Sequence, residues 1–241
     1  MKKTVFTLAL LSIISILTID AQITSMGDQY QSQFFLEHVG RIGSNNDLYL
    51  PDEYVGTPYG NPIFLLGNIY EQNKIMASNY ALRYNAMTDE IEVKENLYEE
   101  DTEIMALTKN PEIYVKIMAD MFVFREANKA SHEAGYFQVL HVGTTHNLYK
   151  KIVKKYYPAK NAQNSFEKDV AAKFVDRPIY YLVSQEGDFE EFGSSKNKRL
   201  KLFKNKQSEI KKLIKSGKLD LTEEEDLLRV VKYYDAISSA Q

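Results

Sequence analysis

Apolar and polar residues alternate with a period of two through the middle of this chain, and with a period near 3.6 at its end. Tyr80, Leu82 and Tyr84 alternate with Ala81, Arg83 and Asn85. After the polar break Ala86-Met87-Thr88-Asp89, Ile91 and Val93 alternate with Glu90, Glu92 and Lys94. Successive side chains on a strand point to opposite faces, so two such runs predict a β-hairpin with one buried face. Glu90 and Glu92 then fall on its exposed face. Further alternations follow at Ile113, Val115 and Ile117 after the turn dipeptide Asn110-Pro111, at Phe122 and Phe124 around Val123, and at Tyr136, Gln138 and Leu140 after Gly135. Short strands separated by turn signals predict an antiparallel meander.

The stretch Leu148 to Tyr157 fits either period. It follows Gly143-Thr144-Thr145 and closes at Pro158, which favours a strand. Ala159 to Arg177 is polar and lysine-rich around Phe166 and Phe174, and reads as an excursion off the sheet. Ile179–Val183 and Phe189–Phe192 form a last hairpin across Glu186-Gly187-Asp188.

The end of the chain is helical. Ser194 or Ser195 caps a first helix bearing Leu200, Leu202 and Phe203. A second presents Ile210, Leu213 and Ile214 on one face and stops at Gly217. Thr222 with Glu225 forms a capping box that opens a third, whose stripe is Leu227, Val231 and Tyr234, widened by Leu228, Val230 and Ile237. The fold class predicted is α+β: an antiparallel, twisted sheet or partial barrel followed by a cap of two or three helices. By segment, 22–61 is an irregular lead-in with a short helix near Gln29 to His38, 62–193 a β-rich domain, and 194–241 a helical segment packed on it.

The first 21 residues follow another logic. Lys2 and Lys3 precede an apolar-leaning run from Thr4 to Leu17, which ends in Thr18, Ile19, Asp20, Ala21 and Gln22. A basic start, a short apolar run and a small residue at the cut predict a secretory signal peptide over 1–21. The run is too short for a membrane-spanning helix, and no later segment approaches that length. The expected location is therefore periplasmic or extracellular, with no transmembrane span in the mature protein.

Two segments of the chain carry a resemblance. Leu82-Arg83-Tyr84-Asn85, continued by Asp89-Glu90-Ile91-Glu92-Val93, resembles a hairpin of uncharacterised exported proteins of the Bacteroidota. Ile179-Tyr180-Tyr181-Leu182, the lysine-rich helices and Tyr233-Tyr234-Asp235 are similar to their ending. The likeness spans Tyr80 to Asp235 and implies an exported, β-rich body with a helical C-terminal cap, without implying an activity.

Composition narrows the chemistry. Hydrophobic residues at 44% and charged residues at 26% suit a folded globular protein with a core of its own. Cysteine is absent, which removes disulfides, thiolate metal sites and a lipid-modified cysteine together. No G-x-S-x-G elbow or phosphate-binding loop occurs, so a serine hydrolase of that class and a P-loop nucleotide hydrolase are disfavoured. Four histidines are present: His38, His132, His141 and His146. Only the last two have a spacing that brings them together, and no metal or cofactor site is expected of them.

Charge is the sharpest signal. The net charge of −3 conceals a block from Lys196 to Lys218 with ten basic residues and the single acid Glu209. Acids gather instead at Asp89, Glu90, Glu92, Glu95, Glu99, Glu100, Asp101 and Glu103. The candidate contacts for an anionic partner are Lys196, Lys198, Arg199, Lys201, Lys204, Lys211, Lys212 and Lys215. That partner is an anionic envelope component or another exported protein; nucleic acid is not expected at an exported destination. The same block would hold the protein peripherally at the envelope. The functional expectation is an exported, non-enzymatic binding protein. Its alternatives are a hydrolase using carboxylates and a carrier of a lipid-like molecule. The strand tyrosines Tyr80, Tyr84, Tyr114, Tyr136, Tyr180 and Tyr181 are expected to pack rather than to line a ligand site.

Overall fold

A computed structural model describes residues 33–34, 37–41, 53–100, 104–128, 133–164 and 166–239. The expected signal peptide, most of the lead-in, and Asp101, Glu103 and His132 lie outside the described residues. Of the expected helix near Gln29 to His38, Gln33, Phe34, Glu37 and His38 are described and helical.

Fourteen strands are described: β1 (Val39–Arg41), β2 (Tyr54–Val55), β3 (Leu65–Glu71), β4 (Lys74–Asn85), β5 (Glu90–Lys94), β6 (Met105–Leu107), β7 (Ile113–Ile117), β8 (Asp120–Arg125), β9 (Gly135–His141), β10 (His146–Lys151), β11 (Lys154–Tyr157), β12 (Ala172–Asp176), β13 (Ile179–Ser184) and β14 (Phe189–Glu191). Three helices follow, α1 (Lys196–Lys201), α2 (Gln207–Gly217) and α3 (Glu224–Ser239), with a 3₁₀ turn at Lys204–Lys206 between the first two. The expected α+β architecture is the one found. Eleven strands form one open sheet in the order β1-β6-β5-β4-β3-β7-β8-β9-β10-β13-β14, antiparallel throughout.

Three parts of the order differ from the local reading. The lead-in is not wholly irregular, because β1 pairs with β6 and β2 runs parallel to β12. The excursion contributes β12 to a separate sheet, β11-β12-β2. Leu148 to Tyr157 is strand, but it breaks at Ile152 and Val153, so β10 joins the large sheet and β11 the small one.

Alternation divides the core. Ile69, Leu82, Tyr84, Ile91, Val115, Ile117, Phe122 and Tyr136 pack in one buried cluster, to which Phe34 adds its ring. Phe137, beside Tyr136 on β9, turns to another cluster with Val123, Tyr149, Tyr181, Val183 and Phe189. The third cluster joins Leu148, Tyr180 and Leu182 to Leu200, Phe203, Ile210, Leu227, Val231 and Tyr234, and so seats the helices on β10 and β13. Of the six strand tyrosines, Tyr84, Tyr136, Tyr180 and Tyr181 are buried in these clusters.

Glu92 corrects the hairpin reading. It is 4% exposed rather than solvent-facing, and Glu90 is half-buried. The segment before β3 covers the outer face of β4 and β5, placing the Arg83 guanidinium 3.6 Å from the Tyr59 ring centroid and 4.2 Å from that of Phe64. Beneath these rings, Arg83 Nε and Nη2 each donate to Glu92 Oε2 at 2.7 Å, and Asn85 Nδ2 donates to Oε1 at 2.9 Å. A carboxylate is stable there because its charge is paired and its oxygens are hydrogen-bonded.

Candidate functional site

The helical cap holds the candidate site, and α3 is the element that positions it. Glu224 and Asp235 are eleven residues apart, close to three turns, so both face the sheet. Glu224 Oε2 accepts from Tyr180 Oη at 2.8 Å and pairs with Lys150 Nζ at 2.7 Å. At the other end Asp235 closes on the β9–β10 turn. Its Oδ1 accepts from the Thr145 amide and hydroxyl, both at 2.7 Å, and from the His146 amide at 3.0 Å. Its Oδ2 accepts from the Thr144 amide at 3.0 Å and from the Thr144 hydroxyl at 3.3 Å.

Burial acts to raise the Asp235 pKa, but the bonds from Thr145, His146 and Thr144 outweigh it and hold the carboxyl well below the usual range. An anion within the last turns of a helix opposes the helix dipole. Its place there is explained by the five donors of the turn.

The two histidines with plausible metal spacing converge on this carboxylate. His141 Nε2 lies 3.8 Å from Asp235 Oδ2, beyond hydrogen-bonding distance, and His146 Nδ1 sits 3.0 Å from Thr145 Oγ1. A bulge brings His141 there: His141 pairs with Leu148 and Val139 with Tyr149, so Leu140 is the extra residue. Desolvation lowers both histidine pKa values, helped by Lys232 at His141 and Lys204 at His146. No group of three or more metal-type side chains converges among the described residues.

A second polar cluster lies at the far end of β10. Asp89 Oδ1 accepts from Lys151 Nζ at 2.6 Å, Tyr84 Oη at 2.7 Å and the Tyr136 amide at 3.1 Å. Burial lowers the Lys151 pKa against the pull of Asp89, and raises that of Tyr84, where Asp89 adds to the rise. This cluster ties the β4–β5 turn to β9 and β10.

With α3 fixed, α1 and α2 flank an open groove of about 540 Å³. Lys196 and Leu200 lie one turn apart on α1, and Lys211 and Lys215 one turn apart on α2, so each pair shares a helix face. Ile214 and Leu219 join Leu200 as the apolar lining, and Lys218 completes the rim. Lys218 was not singled out by sequence. The helix runs through Gly217, and it is Lys218 that takes the left-handed conformation at its end, with φ 52° and ψ 38°. Glycine or asparagine is the usual occupant of that position.

The structure sorts the eight predicted contacts. Lys196, Lys211 and Lys215 come together at the groove. Lys198, Lys201 and Lys212 are exposed away from it. Arg199 turns inward, donating to the Gly193 carbonyl at 2.8 Å and to the Leu221 carbonyl, and so braces the cap. Lys204 is paired with Glu190 at 2.9 Å. Lys150, Lys151 and Lys154 are likewise paired, with Glu224, Asp89 and Asp176. The four groove lysines have no ion pair among the described residues, and Lys211 and Lys215 repel one another by about 0.2–0.5 kcal/mol. Asp220, an acid near Lys196 and Arg199, accepts from the Thr222 amide at 2.9 Å.

Comparison with family models, with curated proteins and with solved structures finds no match.

Proposed function

We propose that this is an exported, non-enzymatic binding protein that takes an anionic component of the cell envelope on its helical cap. The observation that carries the reading is the groove rimmed by Lys196, Lys211, Lys215 and Lys218. Like charges gathered without ion pairs, with Asp220 as the acid near Lys196, cost stability, and an external anion relieves that cost. Export rests on the basic and apolar order of residues 1–21. No helix among the described residues is long and apolar enough to cross a membrane.

Binding is favoured over carboxylate-based hydrolysis because the well-buried acids are committed elsewhere. Glu92 is held by Arg83 and Asn85, and Asp235 by the β9–β10 turn. A general acid or base needs a carboxyl free to exchange a proton with substrate. The interior of the large sheet is filled by side chains such as Ile69, Leu82 and Ile91, each fully buried, which supports the reading of a ligand at the cap rather than within the sheet.

Cosedimentation of the mature chain with anionic vesicles tests the reading. Binding at low salt that weakens as salt rises is expected, since screening shortens the reach of surface charge. Equal retention by zwitterionic vesicles, or none by anionic vesicles at low salt, would overturn it.

A further inference from the structure

We infer that an open depression of about 380 Å³, lined from β8, β10, β13 and β14, binds a neutral saccharide. It is a different place from the groove of the cap, and the inference does not rest on the anion-binding reading.

Three side chains of the lining are tied to the fold at one end and keep hydrogen-bonding capacity at the other. Asn147 Oδ1 accepts from the Gly143 amide at 3.0 Å, and Gln185 Nε2 donates to the Gly143 carbonyl at 2.9 Å. The amide nitrogen of Asn147 and the amide oxygen of Gln185 have no partner among the described residues. Arg125 donates through Nη1 to the Phe124 carbonyl at 3.0 Å and through Nη2 to Tyr149 Oη at 3.3 Å. A guanidinium carries five N–H donors, so Arg125 has donors left over. Gly143 is itself held firmly. The three residues after it are clamped by Asp235, and a Cβ on Gly143 would collide with the His146 carbonyl and the Asp235 carboxylate. Side chains already fixed at one end lose less freedom when a ligand binds.

The lining selects the class of ligand. Arg125 and Asn147 supply donors, while Gln185 and the Glu126 carboxylate supply acceptors. Arg125 and Glu126 are the charged residues of the lining and cancel, so an anion gains no net attraction there. A hydroxyl donates one hydrogen bond and accepts two, and the adjacent hydroxyls of a saccharide use donors and acceptors set side by side. A free amino acid would engage Arg125 and Glu126 and leave both amides to water. An apolar ligand finds little to rest on, because Tyr149 and Phe189 are each 6% exposed. Recognition therefore falls to the polar side chains, in a volume within the range of small-molecule sites.

The test is an NMR titration of the chain without residues 1–21 that reads the side-chain amide signals of Asn147 and Gln185. The probes are maltose, cellobiose and N,N′-diacetylchitobiose, run beside free glutamine and inorganic phosphate. At least one of the three saccharides is expected to shift both amides saturably while signals of the helical cap stay in place. Glu126 is exposed and makes no hydrogen bond or ion pair among the described residues, so Glu126→Ala should keep the native melting profile. It should weaken the bound saccharide by about tenfold, the effect of losing a hydrogen bond to a charged group. The inference is overturned if none of the saccharides shifts the two amides, or if glutamine or phosphate shifts them at lower concentration. Native affinity in both Glu126→Ala and Gln185→Ala would overturn it as well, since the acceptors would then have no part in binding.

Discussion

Asp235 near the end of α3 and Thr145 in the β9–β10 turn are ninety residues apart in sequence, yet both the amide and the hydroxyl of Thr145 donate to one Asp235 oxygen at 2.7 Å. This contact, with those from Thr144 and His146, fixes the last helix to the sheet and so sets the base on which α1 and α2 frame the groove. Removing the carboxylate leaves several half-buried amides unsatisfied. Asp235→Ala is expected to destabilise the protein by about 3 kcal/mol in urea unfolding. A change under about 0.5 kcal/mol, the range of ordinary surface substitutions, would show that the contact does not hold the cap.

Stability should fall in two stages as the solution is acidified. His141 and His146 have lowered pKa values in the fold, through burial first and then through Lys232 and Lys204, with Asp235 opposing at both and Glu190 and Glu186 also opposing at His146. The unfolded chain therefore takes up protons below about pH 6.5 that the folded chain refuses, and stability drops there. Asp235 behaves as a depressed carboxyl: its contribution is complete above its unfolded value of about 3.9 and is lost as pH falls toward the folded value. Urea midpoints measured between pH 8 and pH 3 should show both stages, and Asp235→Asn should diminish the lower one. A flat profile from pH 8 to pH 5 would contradict the histidine assignment.

Arg83 and Glu92 form a buried pair in which neither charge tolerates solitude. Arg83→Met leaves Glu92 unpaired at 4% exposure and is expected to cost about 3–5 kcal/mol. The double variant Arg83→Met with Glu92→Leu should recover most of that loss, because burying neither charge avoids the desolvation cost. Additive losses in a double-mutant cycle would show that the two residues act independently.

The last hairpin and the start of α1 were legible because their local chemistry agrees with their tertiary setting. β13 and β14 pair antiparallel across Glu186-Gly187-Asp188 as those turn residues imply, and Ser195 caps α1 through its bond from the Lys198 amide. What escaped depends on distant chain. Polar residues at Glu92 and Lys94 read as solvent-facing, yet the outer face of that hairpin is covered by Tyr59 and Phe64, which the pattern of β5 cannot foretell. The β3 strand lacks clean alternation at Leu65-Leu66-Gly67-Asn68. Gly67 is required there because a Cβ would collide with the Lys116 carbonyl and the Leu82 side chain. Asp235 looks like any polar residue of an amphipathic helix, and its donors belong to a turn far upstream. The basic block was visible in full, but the fold alone separates the lysines that meet at the groove from Arg199 and Lys204, whose charges are spent on the protein itself.

That separation gives the most direct measurement. Binding to anionic vesicles at low salt is compared for the native chain without residues 1–21, for K211E/K215E on the groove, and for K198E/K201E on the exposed face outside it. Both reversals change the net charge equally and leave the core untouched. A loss of at least tenfold confined to K211E/K215E is the result predicted for a groove that binds anions. Equal weakening by both variants would contradict the account, showing that the helical cap attracts anions through diffuse charge and that the groove has no special part in it.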